Sequence, residues 1–418
     1  MSESSPLPSA SRNQNSSAKR ITSECTECGA CVRSCAFLST HGSPRTLAER
    51  LAHEGPAVRD LAFDCSLCGL CSEICPLDLD PSTMFLDMRR DAASRNEVDL
   101  KRYRTILGYE NRGNSSLFSH AGLPKGCDTV FFPGCTLTGT RPGVTEDLFG
   151  HLQNTIPSLG IVLECCNKPS HDLGRQDHFE TMFGELRDML LAHGVRRVLT
   201  ACPNCFKVFS TYGNGLKVST VYEHLAAHGL PATTPLSGEV TIHDPCPMRH
   251  VPGAHKALRT LAAKMGLDIH EMKHSRKRTL CCGEGGSVSF RSPELSKNFT
   301  ERRAREAGDR TVLTSCAGCA HFLGRSMDTA HMLDVVFRPE AVREGKARAV
   351  KAPLTYLKRL TLKRRFKAGM PMAMVWERSG KSPLPAKTTP VPVLSWKLFR
   401  YTALGLGCLV SLKVFLFS

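Results

Sequence analysis

Two stretches of this chain crowd four cysteines each into eleven positions. They are Cys25, Cys28, Cys31 and Cys35 in CTECGACVRSCAF, and Cys65, Cys68, Cys71 and Cys75 in CSLCGLCSEICPLD. Both read C-x2-C-x2-C-x3-C. Thiolate is a soft ligand for iron, and three thiolates on one tight loop reach three corners of a cubane cluster. The fourth lies too far round that loop and points at a neighbouring cluster. The spacing therefore predicts an exchange of last ligands. Cys75 completes the cluster held by Cys25, Cys28 and Cys31, and Cys35 completes the one held by Cys65, Cys68 and Cys71. Gly29 and Gly69 hold matching places, where a residue without Cβ lets the backbone aim its N–H groups at inorganic sulfide. Pro76 follows the second motif, whereas Ala36 follows the first. Zinc knuckles want two C-x2-C pairs per ion, and this double spacing suits iron–sulfur far better.

Ten more cysteines form a second duplicated phrase. Cys135 (FFPGC), Cys165–Cys166 (LECCNKP) and Cys202 with Cys205 (ACPNC) make the first copy. Cys246 (HDPCP), Cys281–Cys282 (LCCGEGG) and Cys316 with Cys319 (SCAGC) make the second. The spacings are C-x29-CC-x35-C-x2-C and C-x34-CC-x33-C-x2-C. Repetition at so long a period signals duplicated structural units. A disulfide between vicinal cysteines is strained, because one peptide fixes their Cα separation near the short end of the permitted range. Two adjacent thiolates gripping one metal cluster avoid that strain.

This pattern resembles the CCG domain, the cysteine-rich domain of heterodisulfide reductase catalytic subunits. The likeness spans about residues 21 to 336 and includes the dicluster domain in front. It is similar to the iron–sulfur subunits of glycerol-3-phosphate and glycolate dehydrogenases. The resemblance implies one noncubane 4Fe–4S cluster per five-cysteine set, and a cluster pair that cleaves a disulfide. Carried over by position, Cys135, Cys165, Cys166, Cys202 and Cys205 hold one. Cys246, Cys281, Cys282, Cys316 and Cys319 hold the other and are the candidate catalytic set. Gly283 follows the second cysteine pair as the family expects, but Asn167 follows the first. Asparagine adopts a left-handed backbone less freely than glycine. The first site therefore holds either a normal or an altered cluster.

His171, His243 and His250 lie within a few residues of these cysteines and are candidate proton donors, His243 foremost. The plainer reading of each is a histidine hydrogen-bonded near a strand end. Cys127 and Cys408 remain outside both patterns, as a buried thiol or a lipid-facing residue.

The elements that must position these residues are legible in outline. Around the first motifs lie helical runs, SPRTLAERLA (43–52) and STMFLDMRRDAA (82–93), predicting a helical ferredoxin domain. In the second region each cysteine group is expected to follow an apolar, β-branched run, as in DTVFFPGC, GIVLECC, RRVLTAC, EVTIHDPC and RTVLTSC. These read as buried parallel strands alternating with helices such as 180–194 and 254–266, so the ligands collect at the strands' carboxyl ends. The expected fold class is an α+β multidomain chain: a helical ferredoxin domain, two α/β CCG repeats and a basic, membrane-associating tail. The expected boundaries are a disordered tail over 1–20, the dicluster domain over 21–125 and the repeats over 126–238 and 239–336. A basic, proline-rich linker over 337–390 and a hydrophobic anchor over 391–418 follow.

The whole chain of 418 residues carries 20 cysteines and a net charge of +16. Its N-terminus shows no apolar secretory run, so reduced, metal-ligating cysteines are expected rather than a disulfide framework. Between Arg338 and Arg400 stand sixteen Lys or Arg against three Glu, which points to an anionic surface. Aromatic residues are only 6% and no recognition motif accompanies the basic stretch 356–369, which argues against nucleic acid. Residues 401–417 form an apolar run interrupted by Lys413, short of the ~20 residues that a spanning helix wants. The tail is expected to lie on, span or dock at the cytoplasmic face of a membrane, against the bilayer or a haem- or quinone-binding partner. No G-x-G-x-x-G loop is present, so a flavin would sit on a partner dehydrogenase. Two functions remain open at this point: disulfide chemistry at the CCG region, or a wire from a flavin dehydrogenase to the quinone pool.

Overall fold

Helices in the N-terminal region begin where the sequence caps them. Ser43 accepts a hydrogen bond from the Thr46 amide ahead of Pro44–Glu54, and Asp80 does the same from Thr83 ahead of Pro81–Ser94. Proline opens both helices, where its missing N–H costs nothing. In the computed structural model, which describes residues 16–369 and 372–378, no strand precedes His120 among the described residues. Short helices at Ala30–Ser34, Ala36–His41 and Leu70–Glu73 carry the cysteine loops. Their core joins Phe37, Leu47, Met84, Phe85 and Met88, with Phe37 edge-on to Phe85 at 5.0 Å. Cys281 and Phe299, far along the chain, belong to that same core.

The remainder is built on two sheets. Ten strands occur in chain order: β1 (His120–Leu123), β2 (Thr129–Phe132), β3 (Gly160–Leu163), β4 (Arg197–Thr200), β5 (Lys217–Thr220), β6 (Glu239–His243), β7 (Asp268–Ile269), β8 (Thr311–Thr314), β9 (Thr329–His331) and β10 (Met374–Trp376). The first sheet has the order β10-β1-β3-β2-β4-β5 and the second β7-β6-β8-β9. From β2 to β5 and from β6 to β9 every pairing is parallel, with helices as crossovers, as the apolar runs predict. Central strands β2 and β3 are buried throughout, as parallel strands covered on both faces must be. One apolar core runs across both repeats, from Phe131, Leu148 and Leu199 to Ile242, Leu261 and Val335.

Two expectations need correction. The tail expected over 1–20 is already helical from Ser16, where Ser16–Glu24 buries Ala18 and Ile21. The linker expected over 337–390 starts as ordered structure. Met332–Phe337 and Pro339–Arg343 are helices, and the basic stretch lies in a helix, Leu354–Gly369. Leu362 and Phe366, four apart on one face, enter the core of the first repeat, and Phe366 packs edge-on to Phe149 at 5.1 Å. Arg359 lies over the rings of Tyr109 and Phe118, while Lys363 donates to the Ser116 carbonyl at 2.6 Å. Strand β10 then pairs antiparallel with β1 at the edge of the first sheet. Apolar spacing and internal partners for the charges make this segment part of the fold. The anchor expected over 391–418, with Cys408, lies outside the described residues. Among those described, no helix is long and apolar enough to cross a membrane.

Candidate metal centres

Gly29 and Gly69 stand immediately before Ala30–Ser34 and Leu70–Glu73 with φ of 75° and 73°. This left-handed turn folds each loop back on itself, and a hollow opens beside each. Cys25, Cys28, Cys31 and Cys75 line one, Cys35, Cys65 and Cys68 the other, and Cys71 borders both. The last cysteine of each motif thus faces the hollow of the opposite motif. Burial pushes the Cys31 thiol up to about 11 and Cys35 up to about 12. A crowd of sulfurs so disfavoured as bare thiolates suits a cationic iron core, which supplies the missing positive charge. All nineteen described cysteines are free.

In the sheets, cysteines gather at strand carboxyl ends. Cys135 follows β2, Cys165–Cys166 follow β3, and Cys202 with Cys205 follow β4. Cys246 follows β6, and Cys316 with Cys319 follow β8. Cys281–Cys282 break the pattern, since they close a long loop rather than a strand. In each set the vicinal pair meets the C-x2-C pair. Cys165 and Cys205 crowd Cys166, Cys281 and Cys319 crowd Cys282, and Cys319 donates to Cys282, Sγ to Sγ, at 3.1 Å. The neighbouring thiols hold both Cys166 and Cys282 below the ordinary thiol range. The backbone turns left-handed after each pair, at Asn167 (φ 59°) and Gly283 (φ 93°). Asn167 is fixed there by Asn114, whose amide donates to Asn167 Oδ1 and whose Oδ1 accepts from the Cys165 amide. The donor sets, five thiols apiece on turns of the same hand, fit a cluster at both sites.

A family model described as a 4Fe–4S dicluster domain matches residues 24–80, and the CCG cysteine-rich domain matches 129–210 and 240–324. The chain joins a 4Fe–4S dicluster domain to two CCG domains. A fumarate reductase (CoM/CoB) subunit from Methanothermobacter marburgensis is 26% identical, covering 74% of this chain and 69% of that one. A dihydromethanophenazine:CoB–CoM heterodisulfide reductase subunit from Methanosarcina mazei is 24% identical, covering 78% and 93%. A probable membrane-anchored ferredoxin from Chromohalobacter salexigens is 24% identical, covering 65% of this chain and 46% of its own. The chain is thus an iron–sulfur protein with 4Fe–4S clusters, related to that heterodisulfide reductase subunit.

The dicluster domain abuts the second CCG domain through sulfur. Cys68 and Cys281 line the same hollow, together with Cys35 and Cys65. Two arginines, both missed in the sequence, fasten this junction. Arg249 donates to the carbonyls of Cys68 (3.1 Å) and Thr279 (2.9 Å). Arg89, fully buried, donates to the carbonyls of Ala62, Cys65, Asp172 and Gly286, so one guanidinium ties the dicluster domain to both CCG domains. At the first CCG site Arg378 reaches back to Glu164, beside Cys165, at 2.6 Å. Burial first, and then Arg378 in the opposite sense, leaves the Glu164 carboxyl raised to about 7.

The three histidines part company. His171 is satisfied, with Nδ1 3.0 Å from Asp172 and Nε2 2.8 Å from the Tyr212 hydroxyl. His250 is exposed and lies 3.6 Å from Glu73. His243 is buried at the end of β6, and burial pushes its pKa down to about 3, so the ring is neutral. Cys127 is a buried thiol that donates to the Thr129 carbonyl at 3.2 Å.

Proposed function

We propose that this chain is the electron-transfer subunit of a membrane-associated oxidoreductase. Cys25, Cys28, Cys31 and Cys75 would hold one cubane cluster, and Cys35, Cys65, Cys68 and Cys71 the other. The ten CCG cysteines would hold noncubane clusters, with Cys246, Cys281, Cys282, Cys316 and Cys319 as the reactive set. Bound there, such groups supply one-electron transfer and, at a noncubane pair, reductive cleavage of a disulfide. The observation that carries this reading is the hollow that Cys68 and Cys281 both line, which sets the dicluster domain against the second CCG site. Gly29 and Gly69 turn the loops around their hollows, and Arg89 and Arg249 hold the two sites in register. Burial of Cys281, Cys282, Cys316 and Cys319 keeps water from the reactive set.

A second reading, a wire between a flavin dehydrogenase and the quinone pool, is supported by the likeness to a membrane-anchored ferredoxin. One experiment separates them. Full-length protein purified without oxygen is reduced with a low-potential dye and offered disulfides. Turnover of a disulfide, lost in Cys282→Ser with the dicluster signals intact, supports the first reading. Reduction by a partner dehydrogenase with no disulfide turnover sinks it in favour of the wire.

A further inference from the structure

The two CCG domains differ at the carboxyl end of their first parallel strand. Strand β2 ends in Phe132 and β6 ends in His243, each three residues before the first cysteine of its set. Their registers correspond: Phe132 pairs with Thr200, and His243 with Thr314. Phe132 is satisfied by packing, edge-on to Phe209 at 4.9 Å. His243 is 1% exposed, and neither of its ring nitrogens has a hydrogen-bond partner. Leaving a buried polar group unpaired costs about 1–3 kcal/mol, and such orphans are few in folded proteins. A ring nitrogen of His243 and the sulfurs of Cys282 and Cys319 all lie within 4.8 Å of one another.

We infer that His243 donates a ring nitrogen to the metal centre of the second CCG domain, beside Cys282 and Cys319, whereas the first CCG domain has no such nitrogen. This assignment rests on reading the second CCG domain as a cluster site. It makes the two CCG centres unequal.

The test is electron spin-echo spectroscopy of the full chain, purified without oxygen from cells fed natural or ¹⁵N-labelled histidine. The expected result is a strongly coupled nitrogen on one CCG signal, which changes with the label and vanishes in His243→Phe. Labelling needs no substitution, so it decides the matter even where the variant fails to fold. Only weak coupling, the mark of an N–H bond to sulfur, overturns ligation, as does no coupling at all in a protein with its full iron. Iron confined to the dicluster domain is a separate outcome, and it overturns the cluster reading and this assignment together.

Discussion

At position 167 asparagine does what glycine does at 283. Both turn left-handed after a vicinal cysteine pair, but Asn167 adds hydrogen bonds to Asn114 and to the Cys165 carbonyl. A side chain with a Cβ costs about 1–2 kcal/mol in that conformation, and asparagine offsets part of this by bonding locally. Asn167→Ala loses the local bonds and keeps the strain. The expected outcome is a lower urea midpoint than either wild type or Asn167→Gly, worth about 1–2 kcal/mol. An alanine variant as stable as wild type would remove the strain account. The departure was visible in the sequence, but its harmlessness to the turn was not, because Asn114 arrives from another element. Arg89 was legible and overlooked. Phe85, Met88 and Ala92 mark the buried stripe of Pro81–Ser94, and Arg89 falls on it. A charge on an apolar stripe signals an internal partner, here four backbone carbonyls. Arg89→Met leaves those carbonyls unpaired at about 1–3 kcal/mol each and should abolish soluble, iron-loaded protein, while Arg89→Lys recovers part of the yield.

The elements that sequence patterning reveals are those that propensity and burial favour together. The β-branched runs became β2, β3, β4, β6 and β8. Strands β1 (HAGL) and β10 (MVW) did not announce themselves, since neither alternates nor is rich in β-branched residues. They exist because the first sheet has an open edge beside β3 that tertiary packing fills. The helix Leu354–Gly369 was read as a charged arm because charge dominates its composition, yet two apolar residues fix its place. Phe366→Ala should cost about 3–5 kcal/mol of stability, against less than about 0.5 kcal/mol for the exposed Leu357→Ala, both by urea denaturation. The β1 edge also carries a pH response. His120 is buried with Nδ1 3.7 Å from Glu377, and burial outweighs that carboxylate and pushes its pKa down to about 4. The unfolded chain binds this proton at a higher pH than the folded one does. Folded stability therefore falls as pH drops from about 6.5 toward about 4, by up to about 3 kcal/mol from this group. His120→Gln should flatten the urea midpoint across that window, and an unchanged slope would assign the acid response elsewhere.

For the whole molecule, the remaining question is what the positive charge meets. The helix Leu354–Gly369 spends Arg359 and Lys363 internally and pairs Arg365 with Glu146, but Lys358 and Arg364 stay on its exposed side beside Leu354 (53% exposed) and Leu357 (60%). Exposed leucines interleaved with cations suit an anionic lipid surface better than nucleic acid, which would ask for aromatic stacking platforms. Each basic residue near such a surface contributes about 1 kcal/mol, and the attraction fades within a Debye length. Replacing Lys358 and Arg364 together by Gln should then weaken binding of the full chain to vesicles containing phosphatidylserine about 30-fold. Binding should also fall steeply with added salt and be slight on purely phosphatidylcholine vesicles. Leu354→Ser with Leu357→Ser should weaken binding with little change in its salt dependence, because those side chains contribute buried area rather than charge. Equal partitioning of wild type and the double Gln variant, in co-sedimentation at low ionic strength, would remove this helix as a lipid-binding element.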